Sequence, residues 1–336
     1  MQDFKSVGKE LIKNLMFLII LFMIFVGVLD KLEAAAMKND NLVQSRNKSI
    51  FRILREPQNT VDVIVLGDSL SYSAISPMEL WKQHGMTAYI CGQAGQKIQE
   101  TYHMLETAFQ TQSPKLVILE SNVMFRGESG FINIKEAFEE WGNRYIPIIR
   151  SHDIWKSFFI EKQYPEENYK GFTFRCSVQP YKNGKYMVKT KGREEIPDIV
   201  LTYMEKIQRL CEEKGAELML LGTPSPLNCN YSRHNSLSAY AKENHLKYLD
   251  LNLKLEEVGI DWKTDSLDGG DHLNFSGAGK VTRYLGTYLK SRWKFLDHRT
   301  DQNYTVWEKE LVEYEEKAKK KLEIMKKRSD KINRNA

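Results

Sequence analysis

Two residues far apart in the chain have the types needed for acyl chemistry. Ser69 closes the run Val61-Asp62-Val63-Ile64-Val65-Leu66-Gly67-Asp68-Ser69, in which a β-branched apolar stretch leads straight into Gly-Asp-Ser. Such a run reads as a buried parallel strand, and the carboxyl ends of parallel strands are where open α/β sheets keep their ligands. Gly67 permits a tight turn, so Ser69 is expected in that turn. A neutral hydroxyl needs a base before it can attack a carbonyl. His272 is the candidate, in the polar, Gly-rich loop Asp265-Ser266-Leu267-Asp268-Gly269-Gly270-Asp271-His272-Leu273-Asn274-Phe275-Ser276. Imidazole changes charge near neutrality, and an adjacent carboxylate can hold the tautomer that accepts a serine proton. The plainer reading is a serine that only caps or turns, and an Asx-rich loop whose Asn274 and Ser276 cap the next helix.

Both residues must be carried by regular elements. Strands are predicted at residues 61–66, 87–91, 115–120, 217–222 and 246–251, and helices at 78–83, 98–110, 197–214 and 278–293. Alternation of this kind points to one parallel sheet covered on both faces.

With 336 residues, 28% charged and 42% hydrophobic, the chain can hold one large α/β domain with appendages or two smaller domains. The net charge of +5 is modest, and its lysines and arginines are scattered rather than set beside aromatics, which gives nucleic-acid binding little support. Cys91, Cys176, Cys211 and Cys229 are widely spaced, so neither a zinc site nor a redox motif is indicated. Lys5, Lys9 and Lys13 precede residues 15–29, an apolar run without a charge. A run apolar on every face reads as a membrane segment. Asp30, Lys31 and Glu33 separate it from the Ala34-Ala35-Ala36 stretch, which favours an uncleaved anchor with a long extracytoplasmic body.

Residues 31–60 read as a polar linker with a short helix. Residues 127–196 interrupt the alternation and carry Trp141, Tyr145, Trp155, Phe158, Phe159, Tyr164, Tyr169, Phe172 and Phe174. An insertion of that length is either a lid or binding surface, or extra cover for the sheet. The tail, residues 297–336, reads as a helix dense in charge, with Lys319-Lys320-Lys321 and Lys326-Lys327-Arg328. It is expected to be solvated, or else to touch anionic lipid or wall polymer.

Gly67-Asp68-Ser69, Gly95 after the second strand, Asn122 after the third and His272-Leu273-Asn274 after the fifth resemble the four signature blocks of the SGNH/GDSL hydrolase family, in the family's order. The anchor and residues 268–282 resemble, more narrowly, the DltD-like membrane proteins of Gram-positive envelopes that work beside membrane-bound O-acyltransferases. The resemblance implies Ser69 as nucleophile, His272 as its base, and an oxyanion hole made of the Ser69 and Gly95 backbone N–H groups and the Asn122 side chain. The family places its aspartate three residues before the histidine, where this chain has Gly269. Asp268 is expected to take the role across the Gly269-Gly270 hinge, with Asp271 as the alternative. The third block reads Glu120-Ser121-Asn122-Val123 where secreted esterases have Gly-Gly-Asn-Asp, so the pocket differs.

The expected architecture is therefore a flavodoxin-like three-layer α/β fold with a central parallel five-stranded sheet. A short cytoplasmic tail and an N-terminal transmembrane helix lie at 1–30, the hydrolase-like domain at 61–296, and an inserted helical and aromatic subdomain at 127–196. The expected activity is that of a membrane-anchored, extracytoplasmic serine esterase or acyltransferase. The resemblance implies acetyl or D-alanyl esters of envelope polysaccharide or teichoic acid as substrates, and a membrane-bound O-acyltransferase as a partner. No metal or organic cofactor is needed for that chemistry, and no Gly-rich nucleotide loop is present. The competing class is a non-catalytic glycan-binding or scaffold partner; a soluble intracellular esterase is disfavoured by the apolar N-terminus.

Overall fold

A computed structural model describes residues 2–43, 45–127, 142, 154 and 167–334. The chain forms two compact units, Met1–Arg52 with Phe138–Glu166, and Ile53–Ala137 with Glu167–Ala336. In the first, α1 (Gln2–Lys38) is a helix of 37 residues, long and apolar enough to cross a membrane. Its apolar side chains stand exposed over residues 11–28. The helix continues through Asp30, Lys31 and Glu33 to Lys38, past the point where the apolar run ends and a linker is predicted. Beyond it, Ala36, Val43, Phe51 and Ile154 form a small buried cluster. The remaining expectations for residues 128–141, 143–153 and 155–166, including Trp141, Tyr145, Trp155, Phe158, Phe159 and Tyr164, lie outside the described residues. Next in the chain, α2 spans Ser45–Arg55.

The second unit is built on β1 (Val63–Leu66), β2 (Ala88–Ile90), β3 (Leu116–Glu120), β4 (Glu217–Gly222) and β5 (Lys247–Asp250). All pair in parallel in the order β2-β1-β3-β4-β5, with Val63 opposite Ala88 on one side and Leu116 on the other. This is the flavodoxin-like order, in which a strand switch point opens a crevice at the carboxyl edge. Alternate residues face opposite ways along a strand. Val63, Val65, Leu116, Ile118, Met219 and Leu221 enter one core, while Ile64, Leu66, Val117, Leu119 and Leu220 are equally buried on the other face. Burial on both faces explains why the strands read as continuous apolar runs rather than alternating ones.

Two groups of helices supply that cover. On the first face lie α3 (Ser69–Ala74) and α4 (Pro77–His84), with α5 (Ile98–Ala108) and α6 (Asp198–Lys214) packing together on the other. After β4 comes α7 (Tyr231–Glu243), against β5, then the short α8 (Leu255–Val258), and α9 (Phe275–Arg292), which packs on α3 and α4. The helix predicted from residue 278 begins three positions earlier because the Asn274 side chain accepts from the N–H groups of Ser276 and Gly277 at 3.1 and 3.3 Å, satisfying two end donors.

The tail departs from the expectation of a solvated helix. In α10 (Thr305–Arg334), Trp307, Leu311, Tyr314, Ala318 and Met325 recur at three, four and seven residues, and all are buried in the same core as α4 and α9. The charges that dominate its composition occupy the outer face, where Lys319 and Lys320 are exposed. Tyr169, Phe172 and Phe174, read from sequence as part of the insertion, also belong to this core, Phe174 stacking on Tyr314 with centroids 5.0 Å apart. Lys170 is 3% exposed, lies 2.9 Å from both Glu56 and Glu310, and sits 4.7 Å over the Trp307 ring. Its carbonyl accepts from Ile90 N–H at 2.9 Å, closing the outer edge of β2.

Replacing Trp307 by Ala should therefore lower the unfolding free energy by about 3–5 kcal/mol in chemical denaturation. A solvated tail would leave the transition unmoved.

Candidate active site

The turn between β1 and α3 presents Ser69. Gly67 has φ 146°, and a Cβ there would lie 2.6 Å from Glu120 Cβ, so only glycine brings β1 this close to the end of β3. Asp68 then caps α3, its Oδ1 accepting from Leu70 N–H at 2.9 Å. Ser69 is thus the first helical residue rather than a turn residue, which aims its half-buried hydroxyl outward from a fixed helix start.

His272 meets it from the loop before α9. Ser69 Oγ is 2.7 Å from His272 Nε2, and His272 Nδ1 is 2.7 Å from Asp268 Oδ2. The other Asp268 oxygen accepts from the His272 backbone N–H at 2.8 Å, so one carboxylate fixes both the main chain and the ring of the histidine. An ionised carboxylate only accepts, which puts the ring proton on Nδ1 and leaves Nε2 to accept from the serine. Gly269 and Gly270 have φ 79° and 103°, the conformations that fold Asp268 back over four residues. Asp271 is placed differently. Its Oδ2 is 3.5 Å from Nδ1, its Oδ1 accepts from Asn228 Nδ2 at 2.5 Å, and its carbonyl accepts from Ser225 Oγ at 2.6 Å.

The loop is braced from within the insertion, by residues 179–181. Gly269 N–H donates to Gln179 O at 3.0 Å, Gln179 N–H donates to Ser266 O at 3.1 Å, and the Tyr181 ring packs so closely on Gly270 that a Cβ would lie 2.6 Å away. No sequence spacing links residues 179–181 to His272.

Asn122 follows β3 in a 3-10 turn, Ser121–Phe125, capped by Glu120: Asn122 N–H donates to Glu120 Oε2 at 3.1 Å. Asn122 Nδ2 donates to Asp68 Oδ2 at 2.6 Å, and its Oδ1 accepts from Arg233 Nη1 at 3.1 Å. Arg126 Nε donates to the same Asp68 oxygen at 2.5 Å. Gly95 lies in the exposed loop after β2, with nothing within 4 Å of where a Cβ would stand; the glycine packed on the β1–α3 turn is Gly92, where a Cβ would lie 2.1 Å from Ser71 Oγ.

Beneath the site Glu120 is fully buried. Burial first, and then the neighbouring Asp68 charge, push its carboxyl up to about 8. Asp268, Asp271 and His272 offer ligand atoms within 4.8 Å of one another. Both imidazole nitrogens are already hydrogen-bonded, so a cation there would have to displace Ser69 or Asp268.

A parallel five-stranded sheet carrying a serine, a histidine and a carboxylate in a hydrogen-bonded line at its carboxyl edge defines a three-layer α/β protein with the geometry of a serine acyl-transfer site. No known family model matches the chain, and no curated protein does. Among solved structures it is similar to a Bacteroides fragilis protein assigned as an acylhydrolase, at 11% identity over 74% of this chain and 96% of that one, with a TM-score of 0.41. A GDSL-like lipase from Bacteroides thetaiotaomicron matches at 11% identity over 74% and 98%, TM-score 0.40. An acetyl xylan esterase from Butyrivibrio proteoclasticus matches at 9% over 70% and 65%, TM-score 0.33. These likenesses are distant, and the activities named are those of the neighbours.

The raised Glu120 carboxyl has a signed consequence. The folded state keeps a proton that the unfolded chain releases near 4.5, so this group's contribution to stability is full below that value and is lost as pH rises through about 8. Stability measured by denaturant from pH 5 to 9 should fall more steeply in the wild type than in Glu120→Gln; equal slopes would contradict the assignment.

Proposed function

We propose that the protein is a membrane-anchored serine esterase or acyltransferase. The observation that carries the reading is the continuous line Ser69–His272–Asp268, with both hydrogen bonds at 2.7 Å. In the forward step the Ser69 oxygen attacks the carbonyl of an acyl ester while its proton passes to His272 Nε2. Asp268 holds the imidazolium that forms. The negative charge on the carbonyl oxygen is met by the backbone N–H groups of Ser69 and Gly95 and by the Asn122 amide. Collapse expels the alcohol with the proton from His272, leaving an acyl group on Ser69 that water or a second hydroxyl removes.

Acetyl or D-alanyl esters of envelope polysaccharide or teichoic acid are the proposed substrates, with a membrane-bound O-acyltransferase as the proposed partner; the motif resemblance supports both. The exposed apolar face of α1 supports an anchor, and a long domain behind a single N-terminal segment supports an extracytoplasmic body. A catalytic role is favoured over a scaffold by Asp268, whose displacement in sequence is made good by its reach to Nδ1.

Turnover of p-nitrophenyl acetate by the detergent-solubilised full chain tests the reading. Ser69→Ala should abolish turnover, and Asp268→Asn should lower kcat by roughly 100-fold or more through loss of the tautomer. Asp271→Asn should cost far less. Undiminished turnover in Ser69→Ala would overturn the proposal.

A further inference from the structure

The direction in which Asn122 points its amide is decided by charges at both of its ends. A primary amide rotated by 180° keeps its shape and exchanges donor for acceptor, so its neighbours must choose between the two. On one side, Asp68 Oδ2 lies 2.6 Å from Nδ2 and can only accept, its charge matched by Arg126 at 2.5 Å. On the other, Arg233 Nη1 lies 3.1 Å from Oδ1 and can only donate. The rotated amide would set NH₂ against a guanidinium and a carbonyl against a carboxylate. Asp68 uses one of the two Nδ2 hydrogens; the second is the donor that the acyl-transfer reading assigns to the oxyanion.

Arg233 is itself fixed on every side. Its Nε donates to Glu194 Oε1 at 2.8 Å and its Nη2 pairs with the same oxygen at 2.8 Å. Its Nη1 also donates to Asn228 O at 2.7 Å, and its guanidinium lies 4.6 Å over the Phe125 ring. Burial alone would raise the Glu194 carboxyl; the hydrogen bonds from Arg233 and Asn230 and the Arg233 charge together outweigh it and hold the group below the ordinary glutamate value. Asn228 in turn holds Asp271, so Arg233 touches the surroundings of both halves of the site.

We infer that Arg233 is a positioning residue, set to hold the Asn122 amide with its N–H toward the developing oxyanion. The inference rests on the serine acyl-transfer reading. Arg233 acts through Asn122, and its guanidinium also polarises the amide toward stronger donation. Among the described residues, without Arg233 only Asp68 restrains the amide, at one end.

The test is a double-mutant cycle on the full chain, with kcat and KM for p-nitrophenyl acetate in Arg233→Met, Asn122→Ala and the double variant, and Ser69→Ala alongside. Arg233→Met keeps the aliphatic stem; it should lower kcat by roughly 10-fold or more with KM nearly unchanged, since removing an oxyanion donor outright costs about 100-fold or more. In the Asn122→Ala background the same change should cost nothing further, and Arg233→Lys, which keeps a donor, should recover part of the loss. Equal losses in both backgrounds, or a rise in KM with kcat intact, would overturn the inference while leaving the nucleophile in place. If Arg233→Met does not fold, a full loss of kcat in folded Arg233→Ser that persists in the Asn122→Ala background overturns it equally. Turnover retained by Ser69→Ala would remove the hydrolase reading and this inference together.

Discussion

A single buried carboxylate ties the site together. Asp68 has no exposed surface, and a charge taken out of water costs several kcal/mol unless donors replace the solvent. Its donors come from three places: Leu70 N–H in the first turn of α3, Asn122 Nδ2 beyond β3, and the Arg126 guanidinium. Satisfying that charge therefore forces the carboxyl ends of β1 and β3 into one arrangement, with Ser69 at the start of a capped helix and Asn122 beside it. Glu120, buried next to Asp68, is held protonated by its burial and then by the Asp68 charge, which outweigh the hydrogen bonds it accepts from Asn122 and Thr223.

The histidine half is held by different means. Its loop carries two glycines in left-handed conformations, which in isolation would leave the chain free. Main-chain hydrogen bonds to Gln179, the Tyr181 ring on Gly270, and Ser225 and Asn228 on Asp271 remove that freedom. The last third of the insertion thus runs along the catalytic loop as a brace. The same insertion contributes Tyr169, Phe172 and Phe174 to the core under α10, so the placement of His272 depends on packing well beyond the sheet.

The parts legible in the sequence are those that local pattern determines. β1 and β3 are buried along their whole length, so their apolar runs stand out within a residue or two of the observed bounds. Ser69 announces itself by residue type at the end of β1, and His272 by residue type in a polar, Gly-rich loop. Asp268 is harder, because the family's spacing falls on Gly269; the Gly269-Gly270 hinge favours Asp268 over Asp271 in the sequence, and the left-handed conformations of both glycines show how it reaches Nδ1. Arg233 meets Asn122 across 111 positions, a contact that no spacing encodes. Its helix, α7, buries only Ser236, Leu237 and Ala241, too weak a stripe to predict from periodicity. The α10 stripe is fully periodic and is masked by the charge density of its outer face.

The central claim is that His272 and Asp268 make Ser69 a nucleophile at an otherwise ordinary helix start. Reaction of the full chain with a fluorophosphonate, followed by digestion and peptide mass mapping, tests it without a choice of natural substrate. The account predicts one stoichiometric adduct, on the peptide containing Ser69, that His272→Ala does not form. Labelling elsewhere, or labelling of Ser69 that is indifferent to His272, would contradict it.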